Sequence, residues 1–216
     1  MTTVLAASAI ILAGGQSRRM GKPKAALLFG HSTILEGLIA ELRNNFDDIL
    51  VIAAPEQSEP FQVEHLLRAA PSSVRLLRDP VAYRGAAYAL AQGLVAAAHE
   101  IVFACSCDLP LLQAEVVRAL YEMLNGYDAV IPDIDGQPQP LCAVYRRTVA
   151  GCIETQLARS EYRLTRITAA LRAYRPGDRE LQQIDPGLHS FMNINTPEDY
   201  HRALASRQSR ERGKSR

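Results

Sequence analysis

Short apolar runs alternate with helical patterns along this chain. Apolar runs occupy Ala9 to Leu12, Ile49 to Ala54, Val74 to Leu77 and Ile101 to Cys105; all are continuous except Val74 to Leu77, which contains Arg75. A strand whose side chains are nearly all apolar must be covered on both faces, and parallel sheets flanked by helices provide that cover. The sequence therefore predicts an α/β fold with a mainly parallel sheet between two layers of helices.

The segments between these runs have helical spacing. Thr33 to Phe46 repeats apolar residues on one helical face and begins with Thr33 and Glu36 at the spacing of a capping box. Further helices are expected over Ala86 to Ala98 and Gln113 to Leu124. Further strand candidates are residues 129–131 and Leu141 to Tyr145.

Length and charge exclude several classes of protein. The chain has 216 residues, which suits one domain, and its 24 basic and 23 acidic residues give a net charge of +1. A duplex-binding protein would carry a strong basic excess, and no apolar run is long enough to cross a bilayer. No basic residue precedes Arg18, which argues against a secretory signal. The four cysteines lack disulfide or zinc spacing, so we expect a reducing cytoplasm.

The chain ends in a basic segment. Ser206 to Arg216 contains five basic residues, one acidic residue and no apolar side chain. Such a segment has nothing to bury, so we expect a single domain over residues 1–205 and a disordered tail over residues 206–216. Affinity of the tail for phosphate or RNA is the alternative.

Glycine and aspartate follow three of the predicted strands. Gly14 and Gly15 come after the first run, Asp79 after the third and Asp108 after the fourth. In parallel sheets, ligands bind beyond the carboxyl ends of the strands. The sequence therefore predicts a ligand site at this edge.

The segment after the first strand, LAGGQSRRMGKPKA (12–25), indicates phosphate binding. Consecutive glycines allow the backbone to approach a ligand closely, and exposed N–H groups can hold phosphate oxygens. Four cations follow within seven residues: Arg18, Arg19, Lys22 and Lys24. The spacing fits neither a P-loop nor the G-x-G-x-x-G dinucleotide fingerprint. A cationic surface turn is the alternative interpretation.

These residues resemble a known signature. LAGGQSRRMGKPKA is similar to the motif of the MobA-like nucleotidyltransferases, approximately LAGG-x-S-x-RMG-x-x-K, and two further segments agree: CSCDLPLL (105–112) and FMNINTPEDY (191–200). The resemblance extends over about residues 8 to 204. It implies a Rossmann-like nucleotidyltransferase fold of the glycosyltransferase-A type. It also implies magnesium-dependent transfer of GMP from GTP to molybdenum-bound molybdopterin, with release of pyrophosphate.

The resemblance also assigns roles to residues of this chain. It implies that Leu12, Ala13, Gly14, Gly15, Lys24, Asp79 and Asp108 bind the nucleotide. Arg19, Lys24 and Asp108 are the expected catalytic residues, and Asp108 is the expected Mg²⁺ ligand. Lys24 matches the lysine of the motif, and Lys22 is the weaker alternative for that position. Asn193 and Asn195, which would share one face of a strand, are candidates for holding the metal or the pterin.

Several of these residues have a simpler interpretation. Asp108 could cap the helix that follows, and Asp79 could start an Asp-Pro turn. The two asparagines precede a helix start at Thr196-Pro197, so turn and cap chemistry is the alternative there. Cys105 and Cys107 are expected to be packing thiols.

Two departures from the family pattern concern the nucleotide base. Some members have an asparagine after the second strand where this chain has Ala53 and Ala54, and YRGAAYAL (83–90) retains Gly85 without the usual Pro-Leu. The Leu-Ala-Gly-Gly sequence at 12–15 favours GTP, whereas the cytidylyl branch usually has Leu-Ala-Ala-Gly. A molybdopterin cytidylyltransferase, a sugar-phosphate nucleotidyltransferase and a non-catalytic module that serves molybdoenzymes are the alternatives.

The expected partners are GTP, molybdenum-molybdopterin and molybdoenzymes or other proteins of the pathway, with no nucleic acid and no membrane; we expect a monomer.

Overall fold

The strands and helices of this chain were assigned from a computed structural model. It describes residues 4–14, 23–55, 63, 67, 70, 72–80 and 84–214, with side chains described up to residue 210 of the last helix. The strands are β1 (Ser8–Leu12), β2 (Leu28–Phe29), β3 (Ser32–Thr33), β4 (Asp48–Ala53), β5 (Val74–Arg78), β6 (Ile101–Ser106), β7 (Ala129–Val130), β8 (Asp133–Ile134), β9 (Gln137–Pro138), β10 (Cys142–Arg146) and β11 (Ala173–Tyr174). The helices are α1 (Ile34–Leu42), α2 (Ala86–Ala96), α3 (Ala114–Glu122), α4 (Val149–Ala158), α5 (Leu164–Ala169), α6 (Asp178–Leu181) and α7 (Pro197–Lys214). Short 3₁₀ turns cover Lys24–Ala26 and His189–Phe191.

Seven of the described strands form the central sheet, in the order β11-β7-β10-β6-β1-β4-β5. All neighbouring pairs are parallel except those of β10, which runs antiparallel to β6 and β7. The mainly parallel sheet predicted from the apolar runs is confirmed. Each of the four apolar runs forms a strand, with ends that differ from the sequence pattern by at most one residue.

The apolar runs are buried on both faces of the sheet. In β1, Ile11 packs into the core under α1 and α3, whereas Ile10 packs into the core under α2 and α4. Alternate side chains of a strand point to opposite faces, so a run without polar residues requires two helical layers. The predicted three-layer α/β/α arrangement is confirmed.

Helix α1 begins as its capping pattern predicts. The Thr33 side chain accepts the Glu36 N–H at 3.2 Å, and the Glu36 carboxylate accepts the Thr33 N–H at 2.7 Å. Two of the N–H groups that a helix start leaves unpaired are thereby satisfied. None of the helices in the described part of the chain is long and apolar enough to cross a membrane.

Helix α7 extends into the basic segment at the end of the chain. Residues 206–214 continue this helix in the structure. Within it, the Arg207 guanidinium donates to the Phe29 carbonyl and lies 5.5 Å from the centre of the Phe29 ring. Tyr200 of the same helix donates to the Leu28 carbonyl. Helix α7 is therefore anchored to β2 by hydrogen bonds from the Tyr200 hydroxyl and the Arg207 guanidinium.

Candidate functional site

The candidate site lies at the edge of the sheet where β1, β4, β5 and β6 end. The loops that leave these strands are joined by backbone hydrogen bonds: Ala13 N–H donates to Ile52 at 2.8 Å, Cys107 N–H to Leu12 at 3.0 Å and Asp79 N–H to Ala53 at 2.8 Å. The predicted nucleotide residues therefore lie at or just after the ends of neighbouring strands at one edge: Leu12, Ala13, Gly14, Asp79 and Asp108. Parallel strands produce this clustering, because their carboxyl ends meet at the same edge.

Gly14 lies where two backbones approach each other closely. A Cβ atom at this position would lie 3.1 Å from the backbone nitrogen of Ala54 and 3.5 Å from the carbonyl carbon of Ala53. Backbone atoms move aside less readily than a flexible side chain, so glycine fits here without strain, whereas a larger residue would require the backbone at Ala54 to shift by a few tenths of an ångström. The residues that replace the family's asparagine thus lie against the glycine loop.

Lys24 joins two other predicted site residues. Its Nζ lies 3.0 Å from Asp108 Oδ2 and 2.7 Å from Asn195 Oδ1. The Lys24 and Asp108 side chains are 16% and 18% exposed, so the ion pair is partly shielded from water. The other carboxylate oxygen of Asp108 accepts a hydrogen bond from the Ser106 hydroxyl. One carboxylate and one amide oxygen therefore converge on a single cationic group.

The cap interpretation of Asp108 is wrong. Helix α3 begins at Ala114 with Gln113 as its N-cap residue, and the Ala114 N–H donates to Glu41 at 2.6 Å. Asp108 instead belongs to the turn that follows β6, where its carbonyl accepts the Ile194 N–H at 2.9 Å. Its carboxylate is thus available for the chemistry of the site.

The two asparagines are not equivalent. Residues 192–195 form no strand, so Asn193 and Asn195 do not share a strand face as predicted. Asn195 reaches Lys24, whereas the Asn193 side chain donates back to the Phe191 carbonyl at 3.4 Å. The predicted helix start at Thr196 is confirmed, since Thr196 Oγ1 accepts the Asp199 N–H at 3.2 Å. Of the pair, Asn195 is the one whose side chain contacts Lys24, the residue that also pairs with Asp108.

Asp79 is held by a residue that the sequence reasoning missed. Its carboxylate is buried, and Oδ1 lies 3.2 Å from Arg84 Nη2. The Arg84 guanidinium in turn lies 4.2 Å from the centre of the Tyr88 ring, a cation–π contact. Ser106, which donates to Asp108, was also missed. The signals were weak: an arginine five residues after Asp79, and a serine between two cysteines.

Cys105 and Cys107 are both buried beside the site. Burial is the main cause that raises the pKa of the Cys107 thiol, to about 12, with a smaller contribution from Asp108. Burial also raises the pKa of Cys105 well above its ordinary value. Both groups are therefore thiols at neutral pH. Within the described ranges no group of three or more histidine, cysteine or acidic side chains is arranged to hold a metal ion.

Some predicted residues cannot be placed. Gly15 and Arg19, together with Arg18 and Lys22 of the same loop, lie outside the residues that the structure describes. Their predicted roles stay predictions.

Comparison with known proteins connects this geometry to a family. Residues 9–175 match the model of the MobA-like NTP transferase domain. The molybdenum cofactor guanylyltransferase of Desulfosudis oleivorans is 30% identical over 203 residues, which cover 93% of this chain and 96% of that protein. A probable molybdenum cofactor guanylyltransferase of Methanosarcina acetivorans is 34% identical over 92% of this chain and 90% of its own length.

A solved structure agrees at the level of the fold. The molybdopterin-guanine dinucleotide biosynthesis protein A of Archaeoglobus fulgidus has a TM-score of 0.78 and 24% identity, covering 94% of this chain and 99% of that one. The glycine loop, the Lys24–Asp108 pair and Asn195 all lie within the segments that carry the sequence resemblance. The chain belongs to the MobA-like NTP transferase family.

Proposed function

We propose that this protein is a molybdenum cofactor guanylyltransferase, which transfers GMP from GTP to the phosphate of molybdenum-bound molybdopterin and releases pyrophosphate. The names of relatives that match nearly the whole chain support this function. The structural observation that carries it is the convergence of Lys24, Asp108 and Asn195 at the edge of the sheet where Gly14 follows β1.

The reaction brings two anions together, so the site must neutralise charge. An oxygen of the molybdopterin phosphate forms a bond to the α-phosphorus of GTP. The bond from that phosphorus to the bridging oxygen breaks, and its electron pair leaves with pyrophosphate. Little covalent help is needed from the protein, and positioning with charge compensation provides most of the catalysis.

Mg²⁺ fits the donor set of this site. Asp108 and Asn195 already direct two oxygen atoms at one cation, the Lys24 ammonium, and magnesium in proteins takes one or two such oxygens together with phosphate oxygens and water. Asp108 would hold the ion, with Asn195 beside it. When bound, the ion would neutralise the negative charge of the triphosphate.

The residues of the chain have separable roles in this proposal. Lys24 donates to the phosphates of GTP, and the Ala13–Gly14 backbone lies against the nucleotide because residue 14 lacks a side chain. The buried Asp79, oriented by Arg84, contacts the nucleotide at the end of β5. Arg19 adds positive charge from the same loop.

Incubation of the purified protein with molybdenum-molybdopterin, Mg²⁺ and each of the four nucleoside triphosphates tests the function. We expect pyrophosphate release with GTP, and little with CTP, ATP or UTP. Release with CTP at an equal or higher rate would reject the guanylyl assignment in favour of the cytidylyl alternative. Absence of release with all four would reject a nucleotidyltransferase of molybdopterin.

A further inference from the structure

Asp185 is a buried carboxylate with no part in the chemistry proposed above. It lies between α6 and the His189–Phe191 turn and is 2% exposed. The other two buried aspartates, Asp48 and Asp79, each pair with an arginine, whereas among the described residues the ion-pair partner of Asp185 is His189, at 3.6 Å. A buried negative charge needs compensation from somewhere, so its hydrogen-bond partners are informative.

Those partners belong to one turn. The Asp185 carboxylate accepts the Ser190 N–H at 2.7 Å, and its own carbonyl accepts the Leu188 N–H at 2.8 Å. Leu188 has a φ of 49°, a left-handed conformation that leucine rarely adopts without support. Burial alone would raise the pKa of Asp185, but hydrogen bonds from Ser190, His189 and Gln113 outweigh it and lower the pKa. The charged carboxylate therefore stabilises this turn.

The turn is linked at two points to the segment that carries Asp108. Gln113, the N-cap residue of α3, donates to the Ser190 hydroxyl at 3.3 Å. Ile194 donates its N–H to the Asp108 carbonyl at 2.9 Å, immediately before Asn195. These two hydrogen bonds hold residues 185–195 against residues 108–113. They thereby fix the distance between the Asp108 and Asn195 oxygens.

We propose that Asp185 is a positioning residue for nucleotidyl transfer: its carboxylate folds residues 185–191 into the turn that places Asn195 beside Asp108 and Lys24. The proposal rests on the function proposed above for those three residues. An error of about 1 Å in such a site can lower a rate by roughly 10²-fold, so the support of a ligand residue matters almost as much as the residue. Loss of such supporting contacts typically costs about 10–100-fold in metal affinity or activity.

Asp185→Asn tests this, because it removes the charge and keeps the size. Asp48→Asn is the matched control, since Asp48 is also a buried, hydrogen-bonded aspartate but lies at the opposite edge of the sheet. The first measurement needs no substrate: native-state hydrogen exchange of the amides in residues 188–195. Under conditions where these amides exchange by local opening, we expect faster exchange there in Asp185→Asn and unchanged exchange there in Asp48→Asn, whose lower global stability changes only amides that exchange by global unfolding. Unchanged exchange in Asp185→Asn would overturn the proposal.

The second measurement is turnover with GTP as a function of Mg²⁺. For Asp185→Asn we expect kcat to fall by about 10–100-fold and the half-saturating Mg²⁺ concentration to rise, with GTP affinity within about twofold of wild type. In an Asn195→Ala background the effect of Asp185→Asn on kcat should nearly vanish, because Asp185 acts by positioning the Asn195 side chain, which that variant lacks. Faster exchange with unchanged turnover, or multiplicative effects of the two substitutions, would overturn the positioning role while leaving the proposed function intact. A wild-type protein without turnover would reject the proposed function, and the positioning role with it.

Discussion

Lys24 connects parts of the chain that are far apart in sequence. Its partner Asp108 is 84 residues away and its partner Asn195 is 171 residues away. The proposed function requires the ammonium to contact the nucleotide phosphates and the two oxygens to contact a metal ion. Lys24 and Asp108 each carry a charge, and Asn195 a neutral amide oxygen, that a substitution can test by itself.

Lys24→Ala should weaken GTP binding. Loss of a charge-assisted contact to phosphate costs about 1.5–3 kcal/mol, which corresponds to roughly a 10- to 100-fold lower affinity. Calorimetric titration with GTP measures it, and Arg172→Ala, at a side chain 70% exposed and far from these contacts, serves as the control. If Lys22→Ala shows the loss and Lys24→Ala does not, the motif lysine has been assigned to the wrong position.

Asp108→Asn should lower turnover while the protein stays folded. Asparagine has the same size but lacks the negative charge that a magnesium ion requires. We expect pyrophosphate release to fall by about 10²–10³-fold, the cost of removing one preorganised electrostatic group, with partial recovery at high Mg²⁺ or Mn²⁺. Thermal unfolding provides the check on folding. Turnover near the wild-type rate would place the metal elsewhere.

The motifs predicted individual site residues better than their contacts. Lys24 and Asp108 were identified from the segments around them, and the structure brings them together. The choice between Asn193 and Asn195 could not be made from sequence, because it depends on a turn without regular periodicity whose conformation is set by Asp185. Arg84 was missed since nothing in its neighbourhood shows that it faces Asp79.

At the level of the elements, the long strands were predictable and their directions were not. An uninterrupted apolar run reveals burial on both faces, which β1, β4 and β6 all show. The run that forms β10 has the same composition, yet β10 is antiparallel to both neighbours. Direction is set by the path of the connecting chain, and two-residue strands such as β2 and β8 are too short to have a period.

One polar cluster stabilises the edge of the sheet opposite the site. Asp48 at the start of β4 accepts the Ser8 hydroxyl at 2.6 Å and the Ala98 N–H at 3.0 Å, and Arg75 of β5 lies 2.7 Å away. Burial would raise the pKa of Asp48, but the hydrogen bonds from Ser8 and Ala98, together with Arg75, outweigh it and lower the pKa below its ordinary value. The cluster joins β1, β4, β5 and the end of α2.

Asp48→Asn should reduce stability without changing catalysis. Hydrogen bonds to a charged group contribute about 1.5–3 kcal/mol, so the free energy of unfolding should fall by an amount of this order at pH 7. Because the pKa is lowered on folding, the wild type holds this contribution above the unfolded pKa and loses it as the pH falls through the lower folded value. Urea unfolding between pH 7 and pH 3 measures the free energy of unfolding of both proteins. The difference between wild type and Asp48→Asn should become smaller only below about pH 4. A changed KM for GTP would contradict the separation of this edge from the site.

At the level of the whole molecule, helix α7 closes the structure over the segment that begins with Lys24. Tyr200 and Arg207 donate to the Leu28 and Phe29 carbonyls, and the rings of Tyr200 and Phe29 meet edge to face at 6.2 Å. Strand β2 follows the Lys24–Ala26 turn directly. The last described helix therefore supports the first loop of the site.

Arg207→Ala should loosen this closure. Loss of a charged donor to the Phe29 carbonyl, with the cation–π contact to its ring, should lower the free energy of unfolding by about 1.5–3 kcal/mol. Arg202→Ala is the control on the same helix, because its exposed pair with Asp199 should contribute about 0–1 kcal/mol. Urea unfolding measures the loss of unfolding free energy in both variants. An equal loss in Arg207→Ala and Arg202→Ala would mean that Arg207 does not hold α7 in place.

The order of synthesis gives this closure a further consequence. Every strand of the central sheet has been translated once the ribosome passes Tyr174, so a nascent chain of that length contains the whole scaffold. Asn195 and the side chains of α7 that brace Leu28 and Phe29 emerge later. A product terminated soon after Tyr174 would contain every strand of the sheet but would lack Asn195 and the core residues Phe191 and Ile194. Folding of the core and completion of the site therefore both depend on the last part of the chain to be synthesised.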